Sequence, residues 1–214
     1  MDQKLLFLIN HAWTTPGLDR FMALMSSAAF WGVPLGIIAV GAAIWGGFRG
    51  RVFVVLALLT FALTDGVIGR TLKQTVGRAR PSQSVEGTRV LDLATPAWKG
   101  VFVPLKERIA TGDEKGKPGA SFPSNHACNT AGVAMLAALL WRRWGWLAFL
   151  PALGVAYSRV YIGAHWPTDV IAGMAIGIGT ALLVFWGAGI FWRRHGPRIA
   201  PQLAARHPSL LTTA

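Results

Sequence analysis

The stretch SRVYIGAHWPTDVIAGMAIGIGTALLVFWGAGIFW, residues 158–192, decides how this chain is read. From Pro167 to Trp192 it is an apolar run long enough to cross a bilayer, which takes about 20 helical residues. Asp169 is the only charge within the run, and Arg159 and His165 stand just ahead of it. Ionisable groups at membrane depth are costly and usually mark function. His165 and Asp169 are four residues apart, so on a helix they share a face.

Working outward, four more stretches are apolar enough to span. They run from about Met25 to Phe48, Val52 to Leu72, Asn125 to Trp141 and Trp144 to Tyr157. Composition agrees: 53% of residues are hydrophobic and 14% charged, and mean hydropathy is +0.44. A soluble domain of this size needs more polar surface than that. The expectation is an all-α, integral-membrane helical bundle of about five to six transmembrane helices. One membrane-embedded domain would occupy 1–214, with its core at about 60–190. The first residues do not resemble a signal peptide, because His11, Thr14 and Pro16 interrupt a short apolar run. They read as an interfacial helix and turn. Residues 77–122 form a polar connection, either a folded cap or a mobile loop. The lone Cys128 reads as a small buried residue within a helix, and His11, His195 and His207 read as surface residues.

The net charge of +12 fits anionic lipid headgroups and an anionic substrate better than nucleic acid, given the apolar runs. Arg49, Arg51, Arg142, Arg143 and the arginines after Trp192 lie in segments without acids, which places them in the cytoplasm. Lys99, Lys106, Lys115 and Lys117 make the bias on the other face less clean. Five spans then put the N-terminus and the long connection outside.

With alternating spans, Lys73, Arg80, Ser124, Asn125, His126, Arg159, His165 and Asp169 all meet at that outer face. Lys73, Arg80 and Arg159 can neutralise a phosphate, the arginines as planar forks. Ser124 and the backbone N–H groups opening the third span add donors where the helix dipole favours an anion. Asp169 can keep one nitrogen of His165 protonated and leave the other free to attack phosphorus, while His126 can protonate the leaving oxygen. Singly, each has a plainer reading: an interfacial anchor for the bases, an N-cap for Ser124. Two histidines and one aspartate amid three cations would repel a metal. Asp65, within the second span, reads first as a structural partner of a nearby base.

The segments Lys73-Gln-Thr-Val-Gly-Arg-Ala-Arg80-Pro81, Pro123-Ser124-Asn125-His126 and Ser158-Arg159 through His165 to Asp169 resemble the three signature motifs of the type 2 phosphatidic acid phosphatase family. Asn125 stands where that family usually has glycine, and its side chain could contact substrate. The resemblance implies a metal-free and cofactor-free phosphohistidine mechanism. His165 would be the nucleophile, Asp169 its orienting group and His126 the acid. Lys73, Arg80, Ser124, Asn125 and Arg159 would bind phosphate. It further implies a lipid phosphate or diphosphate substrate, most similar to undecaprenyl diphosphate, at the periplasmic face of a bacterial-type inner membrane. Phosphatidate, phosphatidylglycerophosphate and lipid A are the alternative substrates. A lipid-phosphate transporter and an inert scaffold are the rivals from other classes; oligomeric state is open. The topology has a direct test. A cysteine introduced in the connection near Gly112 should react with impermeant reagents in intact cells, and labelling only after permeabilisation would reverse the orientation.

Overall fold

The structure, a computed structural model, describes residues 1–113 and 120–211, so Lys115 and Lys117 lie outside the described residues. The chain opens with α1 (Asp2–Phe7), prolonged by a π-helical turn over Leu8–Ala12, then α2 (Pro16–Met25). Proline at the first position and the Thr15 hydroxyl accepting from Leu18 N–H start α2. The expected interfacial helix and turn is therefore a pair of helices. Helix α3 (Ala28–Trp45) follows a Ser27 cap and contains Pro34. A reversal at Gly46 leads to α4 (Gly47–Phe61), a π-helical stretch Ala62–Gly69 and α5 (Arg70–Val76). Together they form one rod of 30 residues, and Gly77 ends it in the left-handed conformation at φ 64°. Arg49 and Arg51 thus sit on the first turns of α4, because the reversal is shorter than the charges suggest.

The polar connection is folded. It holds the short helix α6 (Pro81–Ser84), then β1 (Arg89–Asp92) and β2 (Lys106–Ile109) in an antiparallel ribbon, Arg89 opposite Ile109. Asn10 anchors it: its amide donates to the carbonyls of Arg89 and Tyr161 at 2.8 and 2.6 Å and accepts from Arg89 N–H. The Arg89 guanidinium pairs with Asp19 and Glu107, and Tyr161 Oη donates to Asp19. Burial pulls the Arg89 pKa down, but the two carboxylates outweigh it and raise it above its ordinary value. This buried network stitches α2, the ribbon and the segment around Tyr161 into one cap.

Next come α7 (Asn125–Leu140), α8 (Phe149–Tyr161), α9 (Pro167–Ile199) and α10 (Pro201–Arg206). Among the described residues, α3, the rod Gly47–Val76 and α9 are long and apolar enough to cross a membrane. Helices α7 and α8, with 16 and 13 residues, reach only about 24 and 20 Å at 1.5 Å per residue. The chain is a helical membrane protein. Helix α3 buries none of its residues, as suits a helix facing lipid. Cys128 is fully buried in α7, as read from sequence. His207 departs from its surface reading: its ring stacks on Phe48 with centroids 4.3 Å apart.

Helices α7 and α9 pack backbone to backbone. A Cβ at Gly177 would lie 2.0 Å from the Cys128 carbonyl oxygen, and one at Gly173 would lie 2.7 Å from that of Ser124. Small residues let membrane helices approach this closely. Gly177→Ala should therefore destabilise the protein by about 2 kcal/mol or more, read as a lower thermal midpoint in detergent. Gly179→Ala, whose Cβ meets nothing within 4 Å, is the control expected to leave the midpoint unchanged.

Candidate active site

Four helix ends converge: the end of α5, the start of α7, the end of α8 and the start of α9. His165 belongs to the turn between α8 and α9. Gly163, at φ 72°, allows that turn, and a Cβ there would lie 2.5 Å from the Arg89 carbonyl oxygen. The His165 N–H donates to the Arg159 carbonyl, and the side chain is 3% exposed.

His165 Nδ1 lies 2.7 Å from the Ser121 carbonyl oxygen. A carbonyl only accepts, so Nδ1 carries the proton and Nε2 presents its lone pair. Burial, with help from Arg159 and Arg80, pulls the imidazole's pKa down to about 4 against the opposing pull of Asp169. His165 is outside the helices and neutral at physiological pH, the state a nitrogen nucleophile requires.

Asp169 is placed differently from expectation. Its nearer oxygen is 3.8 Å from His165 Nδ1, beyond hydrogen-bond length. Helix α9 begins at Pro167, so His165 precedes it, and the two side chains meet at ion-pair distance and not as a hydrogen bond. The fully buried carboxylate instead accepts from Ser121 Oγ at 2.5 Å, Trp166 N–H at 3.1 Å and Arg78 Nη1 at 2.7 Å. It acts on His165 by fixing Ser121, whose carbonyl holds the ring, and by its negative charge.

The start of α7 supplies donors. Ser124 is the N-cap, yet its hydroxyl makes no capping bond and, fully buried, has no hydrogen-bond partner among the described residues. Its backbone N–H donates to the Asp169 carbonyl. A buried orphan hydroxyl is costly unless something else completes it. Arg159 Nε is a second buried donor without a partner among the described residues, while its Nη1 donates to Ser26. Lys73 Nζ donates to Asn125 Oδ1 at 2.7 Å and Pro123 O at 3.3 Å. His126 lies within electrostatic reach of Arg159, His165, Lys73 and Arg80. Burial lowers the Arg80 guanidinium's pKa from its ordinary value. All the residues singled out from sequence are thus brought together. The Asn125 amide is engaged by Lys73 and Asp65.

Sequence reasoning missed four participants. Arg78 bridges Asp169 and Asp2, with Nη2 2.5 Å from the latter, and lies over the Trp166 ring. Asp2 also caps α9, accepting from Thr168 N–H and Oγ1. Ser121 and Arg78 sit beside motif residues and could have been suspected from proximity; Ser26 and Asp2 carry no local signal. Among the described residues, no group of three or more His, Cys, Asp or Glu side chains could hold a metal ion.

The family model described as the PAP2 superfamily matches residues 53–193. The chain is 28% identical over 183 residues to the lipid A 4'-phosphatase of Bacteroides thetaiotaomicron, covering 83% of this chain and 72% of that protein. It is 41% identical over 68 residues to the bacitracin transport permease protein BcrC of Bacillus licheniformis. It is 47% identical over 58 residues to the undecaprenyl-diphosphatase of Sulfolobus acidocaldarius. These two short matches cover 32% and 27% of this chain, and 34% and 28% of those relatives' lengths. The fold is similar to the crystal structure of Aquifex aeolicus LpxE, with TM-score 0.62 and 22% identity over 86% of this chain and 93% of that one. It is also similar to that of the PAP2-type phosphatidylglycerolphosphate phosphatase from Bacillus subtilis, with TM-score 0.54 and 25% identity over 85% and 83%.

The imidazole geometry predicts that NMR of 15N-histidine-labelled protein at pH 5.5 finds His165 neutral with its proton on Nδ1, between the free value of 6.5 and about 4. An imidazolium signal at that pH, or a proton on Nε2, would contradict the assignment.

Proposed function

The chain belongs to the PAP2 superfamily, and we propose that it is a lipid phosphatase working through a phosphohistidine on His165, with undecaprenyl diphosphate as substrate. One observation carries the chemistry. A buried imidazole commits its Nδ1 proton to the Ser121 carbonyl, which leaves Nε2 as the nitrogen with the lone pair, and Arg159 and Arg80 act on the ring electrostatically.

In the first step Nε2 of His165 bonds to phosphorus while the phosphorus–oxygen bond to the leaving group breaks, and His126 gives that oxygen its proton. In the second, His126 takes a proton from water, the water oxygen bonds to phosphorus, and the nitrogen–phosphorus bond breaks. Inorganic phosphate leaves. Lys73, Arg80, Arg159 and the Ser124 hydroxyl hold the phosphoryl oxygens as charge develops on them. The Asp169 carboxylate, 3.8 Å from Nδ1, offsets the positive charge that His165 acquires in the intermediate. The three cations cover the charge neutralisation that a metal provides in other phosphoryl-transfer sites, which supports a metal-independent reaction.

The lipid substrate is supported by the site's place at the helix ends, where a headgroup meets the protein while its chains stay in the bilayer. The short match to the undecaprenyl-diphosphatase of Sulfolobus acidocaldarius favours a polyprenyl diphosphate. The longer match to a lipid A phosphatase supports the second substrate reading. The charge asymmetry of the connections supports an outer, periplasmic site. A transporter would bind the same phosphate without releasing it.

In proteoliposomes, wild type should release phosphate from undecaprenyl diphosphate faster than from phosphatidate, phosphatidylglycerophosphate or lipid A. Preference for lipid A would replace the substrate, and binding without release would favour transport. His165→Ala should lower turnover by at least ~10³-fold while remaining folded; near-wild-type turnover would remove His165 as nucleophile. Activity should persist in excess EDTA, and loss reversed only by added metal would overturn the metal-free mechanism.

A further inference from the structure

We infer that Asn125 and Asp65 form a positioning relay that aims the Lys73 ammonium at the substrate phosphate; the inference rests on the reading of this site as a phosphate site. The hydrogen bonds leave one arrangement. Lys73 Nζ can only donate, so the atom 2.7 Å from it must be the amide oxygen of Asn125. Nδ2 then faces the other way and donates to the Asp65 carboxylate. Both ends of the amide are engaged by protein, one by a cation and one by an anion. An asparagine is suited to this, since it accepts and donates at once.

The count of donors on Lys73 follows. An ammonium has three. One goes to Asn125 Oδ1 and one to the Pro123 carbonyl at 3.3 Å. The third remains, and with two directions fixed its direction is fixed too. Lys73 projects from α5 on a flexible four-carbon stem, so without these two anchors the charge would sample many positions.

The fold makes room for the relay. The π-helical stretch Ala62–Gly69 carries Asp65 and ends at Gly69. A Cβ at Gly69 would lie 2.8 Å from Asn125 Oδ1, so only glycine there leaves the amide its place. One turn deeper, Thr64 Oγ1 meets Asn129 Oδ1 at 2.6 Å, a second polar contact between the rod and α7 that holds the register. Asp65 also balances charge, since Lys73, Arg80 and Arg159 act on one another at close range. Asn125 transmits that balance without placing a carboxylate against the incoming phosphate.

The test compares single variants with an exchange. Asn125→Gly and Asp65→Ala should each lower kcat/KM for the lipid about tenfold or more, the loss of one charge-assisted hydrogen bond. Each should also weaken protection against thermal unfolding by inorganic phosphate, with little change in the phosphate-free midpoint. Asn125→Asp should lower activity further by setting two carboxylates face to face. Adding Asp65→Asn to it reverses one donor and acceptor at constant charge, and should recover about tenfold of the kcat/KM lost by Asn125→Asp, short of wild type because a carboxylate then stands at position 125. Wild-type kcat, KM and phosphate protection in both Asn125→Gly and Asp65→Ala overturn the relay. So does a folded double variant as impaired as Asn125→Asp alone. Should Asn125→Gly fail to fold, the comparison of Asn125→Asp with the double variant decides. Wild type that releases phosphate from no lipid would end the phosphatase reading, while the phosphate-dependent midpoints would still decide the relay.

Discussion

Everything at the site leans on the buried carboxylate of Asp169. It receives Ser121 Oγ, Trp166 N–H and Arg78, and the carbonyl of the same residue receives the Ser124 N–H. A lone carboxylate with no exposure is costly, but several donors make the charged state the favourable one. Those bonds fix three pieces of chain relative to one another: residues 121–124, the segment after α5 and the start of α9. The orientation of His165 follows, because the carbonyl holding its ring belongs to the residue whose hydroxyl Asp169 grips.

The second constraint is charge. Lys73, Arg80 and Arg159 are gathered where water is scarce, and like charges at such distances repel. The fold answers with two acids set behind the cations rather than among them. Asp65 is reached through Asn125, and Asp169 faces Arg78 and the back of His165. The front is left with cations and with the unpartnered Ser124 hydroxyl and Arg159 Nε. That polarity, acids behind and donors in front, suits an anion in transit. Packing supplies the rigidity: the glycines of α9 bring its backbone against α7, so the two helix starts carrying Ser124, His126 and Asp169 cannot drift apart.

Much of this was legible in the sequence. The apolar runs gave the helices α3, α4 with α5, and α9, since hydrophobicity over about 20 residues needs no tertiary information. The convergence of Lys73, Arg80, Ser124, His126, Arg159 and His165 followed from alternating spans, and Cys128 was read correctly as buried. The run from Asn125 to Trp141 matched α7 to within a residue, whereas α8 begins at Phe149 and not near Trp144, because Gly145–Ala148 form a tighter helical turn ahead of it. The ribbon of β1 and β2 was hidden, since its partner residues Asn10, Asp19 and Tyr161 are far away in sequence.

The sequence by itself determined the membrane class, the helical architecture and the chemical types collected at one end, because these depend on composition and on local periodicity. The tertiary structure alone decided who holds whom. It gave the His165 proton to the Ser121 carbonyl instead of Asp169, brought in Arg78, Ser26 and Asp2, and engaged the Asn125 amide with Lys73 and Asp65. The reason is physical. A hydrogen bond is settled by tenths of an ångström between groups up to 166 residues apart, and residue spacing cannot encode such distances once the chain leaves a single helix.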